Sequence, residues 1–101
     1  MVVVTGRSML PALREGDRLV ISYRRRPRPG DVVLARFADG TLAVKRVAER
    51  RGGGWWLLSD NAADGVDSRH RGAVADDAVL AVARMRLWPR PGRVGGRPAK
   101  A

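Results

Sequence analysis

The sequence predicts an all-β fold: a small, twisted, barrel-like antiparallel sheet. Three observations carry that expectation. Short segments alternate apolar and polar residues, turn signals recur about every eight to twelve residues, and no apolar periodicity supports a long helix. With 101 residues and 45% hydrophobic composition, one packed core is feasible, with little margin for a second.

The first candidate element is the bend Gly6-Arg7-Ser8-Met9-Leu10-Pro11-Ala12-Leu13. Ser8 ahead of a short Leu/Ala segment reads as a helix N-cap, with Gly16 closing the helix. The same bend, approached by a glycine and fixed by Pro11, also exposes a hydroxyl nucleophile. Taken alone these residues favour the cap.

Asp17 to Tyr23 follows as a strand, with Leu19, Ile21 and Tyr23 on one face at period two. Arg24 to Gly30 holds two prolines and a glycine and reads as a loop, its arginines guarding a strand edge. Asp31 to Phe37 is a second strand, and Asp39-Gly40 signals a two-residue hairpin turn with positive φ. Thr41 to Val47 returns as a third strand. Its alternation puts Lys45 with Ala43 and Val47, and Arg46 on the opposite face with Leu42 and Val44. Adjacent basic residues on such a strand cannot both face water, so one is held against apolar neighbours.

Trp55 to Leu58 is a fourth strand. It runs into Ser59 to Gly72, a polar loop of about fourteen residues, long for so small a domain unless it has a function or its own hydrogen-bond structure. Ala78 to Trp88 alternates again and is read as the last strand. From Pro89 the composition is Pro, Gly, Arg and Lys without an acid. The expected organisation is therefore a folded domain over 1–88 and a basic, disordered tail over 89–101.

Composition excludes several chemistries. No cysteine means no disulfide, thiolate metal site or thiol nucleophile, and one histidine, His70, excludes a multi-histidine metal site. No metal or other cofactor is expected. No apolar run reaches the length that spans a bilayer, and Met1-Val2-Val3-Val4 lacks the features of a signal peptide. A cytoplasmic location is expected, the alternative being peripheral attachment to a membrane through a partner or the basic tail. The net charge of +10 is compatible with polyanions, but the aromatic residues are not interleaved with the basic runs. Nucleic-acid binding is not expected, and oligomeric state is not legible.

A serine and a strand-borne lysine form a hydrolytic dyad when the lysine is desolvated enough to be neutral. Lys45 has the face such chemistry needs, although its residues alone favour a surface lysine snorkelling past Ala43 and Val47. Four segments, in order, resemble the sequence boxes of the type I signal peptidase family. They are Ser8-Met9-Leu10-Pro11-Ala12-Leu13, Gly30-Asp31-Val32-Val33, Val44-Lys45-Arg46-Val47 and Ser59-Asp60-Asn61 with Asp67-Ser68-Arg69 and Gly72. The Gly-Gly-Trp-Trp-Leu-Leu stretch before the last box is similar to soluble maturation proteases of nickel-type superoxide dismutase, which remove an N-terminal extension.

The resemblance implies a fold of the signal peptidase and SOS-repressor peptidase type, a peptidase domain over 1–88, and a Ser–Lys endopeptidase acting on a protein precursor. It implies Ser8 as nucleophile, Lys45 as general base and the Ser8 N–H as part of an oxyanion hole. Met9 would floor the site, Pro11 fix the turn and Asp31 anchor a turn nearby. Arg46, Asp60, Asn61, Asp67, Ser68 and Arg69 would brace the late loop against the Lys45 strand, Asp67 and Arg69 as an ion pair. Pockets for the residues before the scissile bond would be built from strands 17–23 and 31–37.

The chain departs from the pattern at Ser59, where many relatives have glycine, and at Ala12, where they have threonine. Gly6 and Gly65 stand where some relatives carry site hydroxyls, one in the oxyanion hole and one bonded to the lysine; Thr5 and Ser68 are the candidate replacements. Two alternatives are distinguishable in sequence. A self-cleaving repressor-type domain would need a small-residue cleavage site upstream of Ser8, which the seven residues there do not form. A basic, non-catalytic nucleic-acid or protein binding module on the same fold would need neither Ser8 nor Lys45.

Overall fold

The computed structural model describes residues 1–94. Seven strands form one antiparallel sheet: β1 (Val2–Val3), β2 (Arg18–Ser22), β3 (Val32–Arg36), β4 (Leu42–Arg51), β5 (Gly54–Leu58), β6 (Val79–Trp88) and β7 (Gly92–Arg93). A one-turn helix, α1 (Ser68–Arg71), and a 3-10 turn at Asp76–Ala78 lie between β5 and β6. The hydrogen-bonded order is β1-β2-β6-β3-β4-β5, with β7 added to β6. The fold is all-β as the alternation predicts. The sheet is not closed, since β1 and β5 end the path as edges instead of pairing into a barrel.

Alternation places the core on both faces. Val32, Leu19 and Ala83 pack with Val4, Met9, Leu13 and Val94 on one side. Val33, Ala35, Val47, Leu57 and Val82 pack with Phe37 and Val74 on the other. Strands with apolar residues at consecutive positions, such as Val32-Val33 and Val82-Ala83, are therefore those buried on both faces. Each fully buried leucine, Leu13, Leu19 or Leu57, contributes enough that its truncation to alanine costs about 2–5 kcal/mol.

Three local expectations are corrected. The segment after Ser8 is a series of turns and no helix. Pro11 lacks an N–H and restricts Leu10, so only Leu10 N to Arg7 O and Leu13 N to Met9 O remain. Among the described residues no backbone N–H donates to the Ser8 hydroxyl, and the cap is not made. The hairpin at Asp39-Gly40 is also not a two-residue turn. Only Gly40 has positive φ, at 89°, and the loop closes through Gly40 N to Phe37 O and Phe37 N to Thr41 O. Asp39 instead accepts from Thr41 N at 3.0 Å, a local bond that a short carboxylate makes without leaving negative φ.

The third correction concerns the chain end. Instead of leaving the fold at Pro89, the chain turns back, and β7 pairs Arg93 with Met85 and Gly92 with Arg86. The edge of β6 beyond Ala83 is not used by β3 and is open to this pairing. Val94 then fills a slot in the core beside Met9 and Leu13, at 7% exposure. The rest of the expected tail, residues 95–101, lies outside the described residues.

Candidate active site

Strand β4 carries two adjacent basic side chains, and both are buried: Lys45 at 3% exposure and Arg46 at 7%. The alternation that sends them to opposite faces gives each a different environment. Arg46 is compensated in full. Its Nε and Nη2 form a fork on the Asp60 carboxylate, at 3.1 and 2.7 Å, and Nη1 donates to the carbonyls of Gly30 and Val94. This bidentate geometry ties the loop after β5, the turn before β3 and the returning chain end to one residue.

Lys45 has no such partner. Its Nζ donates to the neutral Ser59 hydroxyl at 2.9 Å, and among the described residues it makes no salt bridge. Continuing the register Val47↔Leu57 by two residues puts Ser59 opposite Lys45 across the hairpin. Burial depresses the Lys45 pKa below its ordinary value; the charges of Asp67 and Asp64 oppose the shift, and Arg69 adds to it.

The long loop has its own hydrogen-bond structure. Asp67, fully buried, is the N-cap of α1, accepting from Arg69 N while His70 Nδ1 accepts from Asp67 N at 3.4 Å. The same carboxylate accepts from Ser59 N at 2.8 Å and from Arg69 Nε and Nη2 at 3.1 and 2.8 Å. Burial alone would raise the Asp67 pKa; the Arg69 and backbone donors outweigh it and hold the carboxyl well below the usual range. Ser68 Oγ accepts from Leu57 N at 2.9 Å, pinning the helix to β5. The carboxylate thus fixes the backbone of Ser59, whose hydroxyl meets Lys45.

The loop also grips the Ser8 bend. Asn61 N donates to Ser8 O at 2.8 Å, and Asn61 Nδ2 donates to Arg7 O at 3.1 Å. Between them lies Gly65, with φ of 81°. A Cβ on residue 65 would stand 2.6 Å from Ser8 Cβ, 3.1 Å from Lys45 Nζ and 3.3 Å from Ser59 Oγ. One point in space therefore touches the serine, the lysine and its hydroxyl partner, and only glycine leaves that point open. No hydrogen bond joins Ser8 to Lys45 among the described residues.

Beside Ser8 opens a cleft of about 330 Å³, lined by Val2 to Thr5, Met9, and Leu34, Leu42 and Val44 of β3 and β4. Its walls are mostly aliphatic. The strand over 31–37 contributes Leu34, no residue of the strand over 17–23 is among the lining residues, and β1 lines the cleft through Val2 and Val3.

Of the sequence-derived site residues, Ser8, Met9, Lys45, Asn61, Asp67 and the Gly65 gap converge here. Met9 is buried at 1% exposure below Ser8. Arg46, Asp60, Ser68 and Arg69 act one step away, as braces. Gly6, with φ of 77°, and Pro11 are exposed backbone devices of the bend. Asp31 sits apart from the cleft, its carboxylate accepting from Arg28 N at 2.9 Å to close the turn that presents Gly30 O to Arg46. Ser59 is the residue sequence reasoning undervalued, and the signal was the hairpin register. Ser68, a candidate replacement hydroxyl, is committed to Leu57 N.

Among the described residues, no group of three or more His, Asp or Glu side chains is placed to hold a metal, and no helix is long and apolar enough to cross a membrane. The profile of the Peptidase S24-like family matches residues 1–79, which span Ser8, β4 and the whole late loop. A search of curated proteins finds no match.

Proposed function

The chain belongs to the Peptidase S24-like family, and from that premise we propose that it is a serine endopeptidase in which Ser8 is the nucleophile and Lys45 its general base. The observation that carries this reading is the state of Lys45. A lysine buried at 3% exposure, bonded to a neutral hydroxyl and, among the described residues, to no carboxylate, gains by losing its proton, which is what a general base requires. The neighbouring Arg46, equally buried but fully paired with Asp60, shows what a purely structural cation looks like in this fold.

In this mechanism neutral Lys45 Nζ takes the proton from Ser8 Oγ as Oγ bonds to the scissile carbonyl carbon. The carbonyl π electrons move to oxygen, and the Ser8 N–H, which makes no hydrogen bond among the described residues, is free to donate to that oxyanion. Lys45 then passes its proton to the departing amine, leaving an acyl group on Ser8. Lys45 Nζ, neutral again, then takes a proton from a water as that water attacks the acyl carbon, and returns the proton to Ser8 Oγ as the acyl group leaves. Ser59 orients Nζ, and Asp67 holds Ser59 in place through its backbone N–H.

The cleft beside Ser8 suits small or aliphatic side chains of a protein precursor. The sequence resemblance of the Trp55-Trp56 stretch suggests a nickel superoxide dismutase precursor with an N-terminal extension. Incubating that precursor with the protein and with its Ser8→Ala variant tests the proposal. Cleavage by the first alone supports it; equal cleavage by both refutes the assignment of Ser8. A non-catalytic binding module on this fold predicts cleavage by neither.

A further inference from the structure

Away from the Ser8 cleft, three elements converge on a second cavity of about 600 Å³. The β2–β3 loop brings Arg25 and Arg28, β6 brings Arg84, and β7 brings Arg93. The one acid in its wall, Asp31, already accepts from Arg28 N. Among the described residues six arginines elsewhere do meet a carboxylate: Arg46 with Asp60, Arg50 with Asp76, Arg51 with Glu49, Arg69 with Asp67, Arg71 with Asp39 and Arg86 with Asp17. Around this cavity the four guanidinium groups have no carboxylate partner among the described residues. Like charges brought together raise the energy of the free protein unless an anion joins them.

The arrangement is held by the fold. Prolines 27 and 29 stiffen the loop, the Val32↔Ala83 pairing sets Arg84, and the Met85↔Arg93 pairing sets Arg93. Guanidinium forks match phosphate oxygens in a bidentate manner, and several forks round one cavity suit linked phosphates better than a single one. Four cations against one carboxylate also suit a ligand with several negative charges. Among the described residues the lining holds no aromatic ring on which a base could stack, which disfavours a nucleic-acid strand.

We propose that the Arg25–Arg28–Arg84–Arg93 cavity is a binding site for a diphosphate group, carried by a soluble molecule or by a lipid headgroup. The test is isothermal titration of the full chain with inorganic pyrophosphate at low salt. In parallel, flotation assays use vesicles bearing a diphosphate-headgroup lipid. The expected result is saturable, one-site binding of pyrophosphate, weakened about tenfold or more in Arg84→Gln/Arg93→Gln, whose thermal midpoint without ligand does not fall, since two like charges are removed. Arg36→Gln, an exposed arginine outside the cavity, is expected to bind as the unmodified protein does. Vesicle binding that pyrophosphate competes away identifies the lipid source; pyrophosphate binding without vesicle binding identifies the soluble one. Absence of saturable pyrophosphate binding overturns the site, as does equal weakening by Arg36→Gln, or binding of single-stranded DNA in place of pyrophosphate.

Discussion

Lys45 Nζ donates to Ser59 Oγ at 2.9 Å, a pairing set by the register of β4 against β5. The hydroxyl bonds best to the charged amine, yet the bond keeps the amine oriented in both protonation states. Ser59→Ala is expected to lower kcat about tenfold and to move the pH profile to lower pH, because the ammonium form loses an acceptor. Ser59→Thr should restore both. A structural role alone would leave the profile in place.

Gly65 makes the complementary contribution by having no side chain. Gly65→Ala would put a methyl 2.6 Å from Ser8 Cβ in a backbone conformation that costs an L-residue about 1–2 kcal/mol. The expected outcome is a modest fall in thermal midpoint and a loss of kcat/KM of about a hundredfold or more, since a misplacement of about 1 Å is enough for that. Calorimetry and precursor cleavage on the same preparation separate the two effects.

Activity should follow the deprotonation of Lys45. Its pKa in the fold lies below the ordinary 10.5, so kcat/KM is expected to rise with pH and level off before that value. The sign for stability is the same. Between the lowered folded value and 10.5 the unfolded chain binds more protons than the native one, so stability rises with pH across that window. Lys45→Met, which removes the base together with the buried charge, should abolish cleavage and flatten the stability curve; a pH–rate profile of the unmodified protein and alkaline melting curves of both check this.

Asp67 titrates in the opposite part of the scale. Its folded pKa lies below the ordinary 3.8, so its contribution is present above 3.8 and is lost as pH falls through the folded value. Asp67→Asn is expected to cost about 2–3 kcal/mol at neutral pH, from charge-assisted bonds lost to Arg69 and to the Ser59 and Arg69 backbone. The variant's melting temperature should vary less between pH 5 and pH 2 than that of the unmodified protein.

Much of this was legible in the alternation of short segments. The positions of β2 to β6 followed from it, as did the opposed faces of Lys45 and Arg46, whereas β1 at Val2–Val3 was too short to show an alternation. What the alternation could not reveal was long-range hydrogen bonding. Nothing local in Arg46 announces that Asp60, Gly30 and Val94 will meet it, so both basic residues of β4 are buried where only one was expected to be. The return of β7 was hidden by composition: Pro89 to Arg93 reads as tail until the free edge of β6 is known. The helix expected after Ser8 failed because proline chemistry outweighed the Leu/Ala pattern. Ser59 was hidden for a subtler reason, since its role depends on counting register across the β4–β5 hairpin.

The most direct test of the account is covalent labelling of Ser8. Treated with a serine-directed fluorophosphonate and digested, the protein should yield a single modified peptide carrying the adduct on Ser8. Labelling should fall about a hundredfold or more in Lys45→Ala, in keeping with the contribution of a general base. Labelling that is absent from Ser8, or that proceeds equally well without Lys45, would contradict the dyad.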